Sequence, residues 1–252
     1  MKIKYKKENN KNYWFQKKRS EDIYFSNQLI NPKQSTIDFF KFLNSKKLSR
    51  KKILDLACGN GANLIYLKKN YKNKECCVGI DINKKLIKKA NKIKSKLMNL
   101  KFYEGNILNI NNEYRNKFDG IICMQTISWL NDYKYFLKQV SKLNVNFLAV
   151  SSLFWEGLID FKIKVEFLKN ENKERALDSF NYYNIYSIKN FKNNLKHIGF
   201  KNIFFKKFEI PFALKKNKNL NKMGTYTIKD KNKFIQLSGP ILQNWYFVIA
   251  LK

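Results

Sequence analysis

Asp55, Gly59, Gly61 and Asp81 have the types and spacing to hold a charged nucleoside. They lie in Lys52-Ile-Leu-Asp-Leu-Ala-Cys-Gly-Asn-Gly-Ala-Asn-Leu64 and Glu75-Cys-Cys-Val-Gly-Ile-Asp81. Ile53, Leu54 and Leu56 form the short apolar run of a central parallel strand. Gly59 and Gly61 carry no Cβ, so the chain can turn sharply and its backbone can approach a ligand. A helix starting there would point its free N–H groups into the crevice above the strand ends. An acid just before the turn is unfavourable for a pyrophosphate and suits a ligand bearing an ammonium group. The dinucleotide fingerprint asks for a third small residue where Leu64 stands. The pattern therefore favours an amino-acid nucleoside over NAD. Asp81, at the tip of the second strand, can accept two hydrogen bonds from a ribose diol. A helix N-cap acid is the other reading of Asp81.

The run Asp55-x-x-Cys58-Gly59-x-Gly61 resembles the first motif of class I S-adenosylmethionine (SAM)-dependent methyltransferases, with Ala57 where many members have glycine. The resemblance implies SAM as cofactor and S-adenosylhomocysteine as product. It implies a cofactor site made from Asp55, Ala57, Gly59, Gly61, Asp81, Ile82, Asn106, Ile107 and Met124. Asn106 stands where family members commonly have an acid on the adenine amino group; it keeps a carbonyl acceptor and loses the charge. The backbone of Ile107 is placed to pair with the ring.

By the same resemblance, the end of the fourth strand faces the methyl group and the acceptor. It lacks the Asn/Asp-Pro-Pro-Tyr/Phe sequence of amino methyltransferases that act on DNA bases. Gln125, Thr126 and Trp129 fall at that crevice, and Phe154, Trp155 and Glu156 leave the fifth strand on the same side. Tyr13, Trp14 and Tyr226 belong to pieces not needed to build the sheet, which are free to cover this edge. These eight, Thr126 aside, are the expected acceptor-binding residues. A neutral amine acceptor needs little base help, whereas a hydroxyl usually needs a base. No His–acid pair or metal cluster announces one, and no metal is expected. Glu156, Tyr13 and Tyr226 are base candidates by position alone. His197, the single histidine, falls in the last turn of a distal helix and reads as structural.

The elements that must position these residues follow a strand–helix alternation. Helices are expected over residues 64–69, from Asn83 with Leu86, Ala90, Ile93 and Leu97 on one stripe, over 133–142, and from an N-cap at Ser187 to a stop at Gly199. Strands are expected at 75–81, within 101–108 together with its exit loop, within 118–126 together with its end, and at 146–150, 202–210 and 245–251. The stretch 151–157 reads as the exit loop of the fifth strand, and 158–168 fits strand and helix patterns equally. Pro32 can open a helix whose apolar face is Ile37, Phe40 and Leu43. The expected fold is a Rossmann-like α/β sheet of seven strands, mostly parallel with the last strand antiparallel. It occupies residues 50–252, behind an N-terminal helical lid segment at 1–49. An insertion at about 211–244 contains a hairpin of Thr225–Ile228 and Phe234–Leu237.

At 252 residues and 44% hydrophobic composition the chain can bury a full core. No apolar run approaches the roughly 18 residues of a membrane span. The start, Met1-Lys-Ile-Lys-Tyr-Lys-Lys, has no apolar core behind its charges, so a cytoplasmic protein is expected. Cys58, Cys76, Cys77 and Cys123 lack zinc-ligand spacing and read as buried fillers. The net charge of +32 suits a polyanion such as RNA or an anionic membrane surface. Yet the lysines are spread over every segment, as a compositional bias would spread them. An anionic small acceptor fits the same field. Tyr182-Tyr-Asn-Ile-Tyr-Ser187, Gly224-Thr-Tyr-Thr-Ile228 and Ser238-Gly-Pro-Ile-Leu242 resemble small-molecule methyltransferases of bacterial surface-sugar pathways. An RNA methyltransferase and a SAM-binding protein without catalysis are the alternatives.

Overall fold

The apolar run at Ile53 lies at the centre of a large sheet, in a computed structural model that describes residues 20–93, 97–166, 180–216 and 224–252. Strand β1 (Ile53–Leu56) is parallel to β2 (Cys77–Asp81) on one side and to β4 (Gly120–Met124) on the other. Strand β3 (Leu100–Glu104) flanks β2, and β5 (Phe147–Trp155) flanks β4, both parallel. Strand β13 (Trp245–Leu251) runs antiparallel between β5 and β9 (Asn202–Lys207). The order is β3-β2-β1-β4-β5-β13-β9. The chain reverses direction across the sheet between β1 and β4, which opens a crevice at their carboxyl ends.

Every residue of β1, β2 and β4 is buried, as strands covered on both faces require. One face packs on α2 (Gln34–Ser45), α3 (Ala62–Tyr71) and α4 (Lys84–Ile93) through Phe40, Leu43, Leu64, Leu67, Ile87 and Ala90. The other packs on α5 (Tyr133–Leu143) and α6 (Ile188–His197) through Phe136, Val140, Phe191 and Leu195. Asp132 caps α5 by accepting from Lys134 N, and Ser187 caps α6 by accepting from Asn190 N. Gly199, at φ +96°, ends α6 as its lack of a Cβ allows. Helix α1 (Ser20–Ile30) lies against α3.

The fifth strand is longer than its apolar pattern suggested. It runs to Trp155 because β13 continues the ladder to Leu153, and β8 (Tyr186–Ser187) pairs with Phe154 and Trp155. Backbone groups that a loop would leave to water therefore have partners. The sixth strand, β9, stops at Lys207 rather than 210. The ambiguous stretch is extended: Phe161 bridges Ile185, and β6 (Lys164–Glu166) pairs with β7 (Phe180–Tyr182). Phe167 and Leu168 lie outside the described residues. Two smaller expectations fail. Ile93 is exposed on α4, where Ile87 takes the buried place beside Leu86 and Ala90, and Cys76 is exposed because it precedes the buried span of β2.

Beyond the carboxyl ends of β4 and β5 the chain builds a cap. Strands β10 (Thr225–Asp230), β11 (Lys233–Ser238) and β12 (Ile241–Leu242) form an antiparallel sheet in the 211–244 insertion. Leu153, Tyr183, Phe208, Ile210 and Trp245 are buried there, with Ile163, Ile185, Phe234 and Ile241 packed against them. No helix among the described residues is long and apolar enough to cross a membrane.

Candidate active site

The turn after β1 brings the predicted residues together. Ala57, Gly59 and Gly61 all have left-handed backbones, at φ +64°, +56° and +80°. Asp55 is 0% exposed, and neither of its carboxylate oxygens has a hydrogen-bond partner. Burial first, and the Asp81 charge second, push its carboxyl well above the usual carboxylate range. The Asn63 side chain works the other way without completing a hydrogen bond. Asn60, also buried, donates through Nδ2 to Phe25 O at 2.7 Å and leaves Oδ1 without a donor. The orphaned buried side-chain groups of this loop are thus all acceptors. An uncompensated buried carboxylate is costly, so the site calls for a ligand that brings a cation or N–H donors.

Asp81 closes the far side of the loop. Its Oδ2 accepts from Gly59 N and its Oδ1 from Asn83 N, both at 2.8 Å. Burial raises its carboxyl, and these two backbone donors work against that rise. Each oxygen keeps a lone pair for a ribose hydroxyl. Ile82, next along, is 48% exposed at the strand tip. Asn106 is exposed and its Oδ1 accepts from Leu108 N at 2.9 Å, which shapes the loop after β3. Ile107 and Met124 are buried in the two cores.

On the acceptor side, Gln125 has a left-handed backbone at φ +54°. Its N–H donates to Ser151 O at 2.9 Å and shares Ser151 Oγ at 3.0 Å. Its side chain is held from outside the sheet: Nε2 donates to Ser35 Oγ at 3.1 Å, and Lys33 Nζ donates to Oε1 at 3.4 Å. Phe25 meanwhile packs so close on the glycine turn that a Cβ on Gly59 would fall 2.7 Å from its ring. Residues 25–35 therefore cross the carboxyl edge from the β1 turn to the β4 exit. Helix α2 is different in kind, being buried in the core through Phe39, Phe40 and Leu43. Tyr13 and Trp14 lie outside the described residues.

Trp129 sits on a short 3-10 turn after β4, its ring 4.6 Å from Tyr183. Tyr183 accepts from Gln243 Nε2, and Gln243 accepts from Thr225 Oγ1 at 3.0 Å, so the insertion is tied to this wall. Asn184 and Tyr186 bind the same exit, donating to Leu130 O at 2.8 and 3.1 Å. The Tyr-Asn-Ile-Tyr-Ser sequence thus joins cap to sheet. Tyr183, Lys33, Ser35 and Gln243 carry no local sequence signal for these contacts, because each acts through a partner far along the chain.

Phe154 is a correction. It is fully buried against Phe191, Phe205 and Tyr246, so it is core and not a pocket wall. Glu156 stands beyond the end of β5, accepting from Tyr246 Oη and Asn244 Nδ2, with Lys207 at 3.7 Å. Burial alone would raise its carboxyl, but these partners hold it below the usual range, which makes it a weak base. Trp155 is exposed beside it. Tyr226 donates to Gly239 O at 3.1 Å within its own hairpin. His197 bonds Asn193 O of its own helix at 2.9 Å.

The sheet order and this loop define a doubly wound domain with an unpartnered buried carboxylate beneath its glycine turn, the arrangement of a class I, SAM-dependent methyltransferase fold. The chain belongs to the methyltransferase-domain family, which matches residues 47–184, more than half its length. Two uncharacterized proteins of Rickettsia prowazekii (strain Madrid E) are similar in sequence. RP789 is 37% identical over 98 residues, which is 38% of this chain and 17% of RP789. RP028 is 34% identical over 91 residues, 35% of this chain and 36% of RP028. The match spans well under two thirds of either relative. Among solved structures, the methyltransferase domain of bacterial CtHen1 has a TM-score of 0.54 at 14% identity, covering 87% of this chain and 98% of that one. Magnesium protoporphyrin IX methyltransferase from Synechocystis PCC 6803, with bound SAH, has a TM-score of 0.51 at 13% identity, covering 87% and 82%. At such identities these likenesses speak for the fold alone.

Proposed function

We propose that this protein transfers the sulfonium methyl group of SAM to an oxygen or nitrogen of a small molecule, a sugar or nucleotide-sugar acceptor, in the cytoplasm. The observation that carries the reading is Asp55, a buried carboxylate without a partner beneath the glycine turn. It would hold the ammonium group, the Gly59–Gly61 backbone would close on the amino-acid moiety, and Asp81 would take the ribose diol. Ile82 would pack on the adenine and Asn106 would meet its amino group. When bound, SAM supplies a methyl on a good leaving group, so catalysis can rest on placing the nucleophile behind it. Gln125 and Trp129, at the β4 exit, are the residues we assign to that placement. Tyr226 lines the outer wall, with Tyr13 and Trp14 as further contributors from the N-terminal segment.

A small acceptor is favoured over a polynucleotide by the cover that residues 25–35 lay across the crevice. The sugar assignment rests on the tail motifs. Calorimetry should show S-adenosylhomocysteine binding, and NAD binding more tightly would overturn the family of ligand. Methyl transfer from labelled SAM, read across nucleotide sugars, free sugars and RNA, tests the acceptor. Label moving only to RNA would put the polynucleotide reading first.

A further inference from the structure

The loop that leaves β5 presents its apolar residues to solvent. Within Trp155-Glu-Gly-Leu-Ile-Asp-Phe161, Leu158 is 65% and Ile159 59% exposed, and Trp155 and Phe161 are exposed beside them with their rings in edge contact. Single exposed apolar residues need no explanation, but a cluster of four large ones does.

The loop is held in this state from inside. Both of its acids are engaged: Glu156, though exposed, is bound by Tyr246, Asn244 and Lys207, and half-buried Asp160 accepts through Oδ1 from Ser187 N at 2.6 Å. Ser187 Oγ donates to Gly157 O at 2.8 Å, and Phe161 exchanges backbone bonds with Ile185. A Cβ on Gly157 would meet Trp155 Nε1 at 2.3 Å, so the indole lies across the glycine. Both acids are thus tied to partners, and the large side chains exposed around them are Trp, Leu, Ile and Phe. Lys162 and Lys189 flank this tip and are exposed; Lys162 Nζ donates to a neutral carbonyl, Asn131 O at 2.9 Å, and lies 4.9 Å from the centre of the Tyr186 ring.

We propose that this tip docks the protein on an anionic bilayer. Aromatic and aliphatic side chains on an exposed tip whose acids are already partnered, flanked by lysines, fit the headgroup–acyl boundary, and the chain's net charge of +32 supplies the long-range attraction. The tip extends from the carboxyl end of β5, the edge that also carries the Asp55 loop, so docking turns the mouth of the crevice toward the lipid. This inference does not depend on the acceptor class proposed above.

The test uses the full chain with vesicles of phosphatidylglycerol and phosphatidylcholine, against phosphatidylcholine alone, at 150 mM salt. The double variant Leu158→Asp, Ile159→Asp changes two exposed residues, and circular dichroism and S-adenosylhomocysteine affinity check that fold and cofactor site are intact. The wild type should bind the anionic vesicles, with its tryptophan emission quenched by brominated lipid. The variant should bind them at least tenfold more weakly, and Trp155→Ala should lose most of the quenching. Equal vesicle binding by the wild type and the double variant would overturn the proposal, leaving charge alone as the cause. A concentration-dependent dimer that the double variant abolishes, with no vesicle binding by the wild type, would overturn it in favour of self-association.

Discussion

Asp55 shows how one residue couples stability to ligand. Its carboxyl is raised by burial and by Asp81, so the folded chain holds that proton to higher pH than the unfolded chain does. The resulting penalty is absent below the unfolded pKa, about 3.9, and grows as pH rises through the raised folded value. Asp55→Asn removes the charge and keeps the shape. Without ligand this variant should melt higher than the wild type at pH 7, and the gap should close as pH falls toward 4. The same substitution should weaken S-adenosylhomocysteine binding by about 10- to 100-fold, as expected for losing a charged acceptor. A variant that binds as tightly as the wild type would remove the ammonium from Asp55. Ala57 makes a second residue-scale case. Its φ of +64° is a conformation that costs an L-residue roughly 1–2 kcal/mol, against about 0.5–1 kcal/mol of added unfolded-state freedom for glycine. Ala57→Gly should therefore leave the melting temperature unchanged or raise it slightly; a clear drop would show the methyl to be packed usefully. The strained position was visible in sequence only as a departure from the family pattern.

At the scale of elements, the N-terminal segment divides into two parts with different tasks. Helix α2 buries Phe39, Phe40 and Leu43, so it belongs to the core. Residues 25–35 instead cross the crevice, held by Phe25 on the glycine turn and by Gln125 on Ser35 and Lys33. We expect a chain starting near Ile37 to fold, to bind S-adenosylhomocysteine more weakly, and to lose methyl transfer. Transfer at the full-length rate would show the segment to be irrelevant to catalysis. Ser35→Ala is the milder version. It removes one part-buried hydrogen bond of about 1 kcal/mol, so the acceptor KM should rise up to about fivefold with little change in cofactor affinity. A helix around Phe40 was readable from its apolar spacing. Its core role was not, because that depends on Phe247 and Tyr66 meeting it from distant strands and helices.

For the whole molecule, the charge of +32 has to be weighed against the covered crevice. If the lysines act collectively, RNA binding should be weak, indifferent to sequence, and lost steeply between 50 and 200 mM salt. Tight, sequence-selective binding near physiological salt would instead favour an RNA acceptor. What the sequence by itself determined is the local and the ordered: the strand, glycine turn and helix around Asp55, the acid ending β2, the caps at Ser187 and Gly199, and a mostly parallel sheet. These follow from interactions between near neighbours and from the alternation of strands with helices. What only the tertiary structure decided is the fate of the acceptor side. Strand β5 runs on to Trp155 because β13 and β8 arrive to pair with it, and that pairing buries Phe154, ties Glu156 to Tyr246 and lifts Leu158 and Ile159 into solvent. Residues so far apart along the chain have no period or spacing linking them, so only the folded contacts could assign their roles.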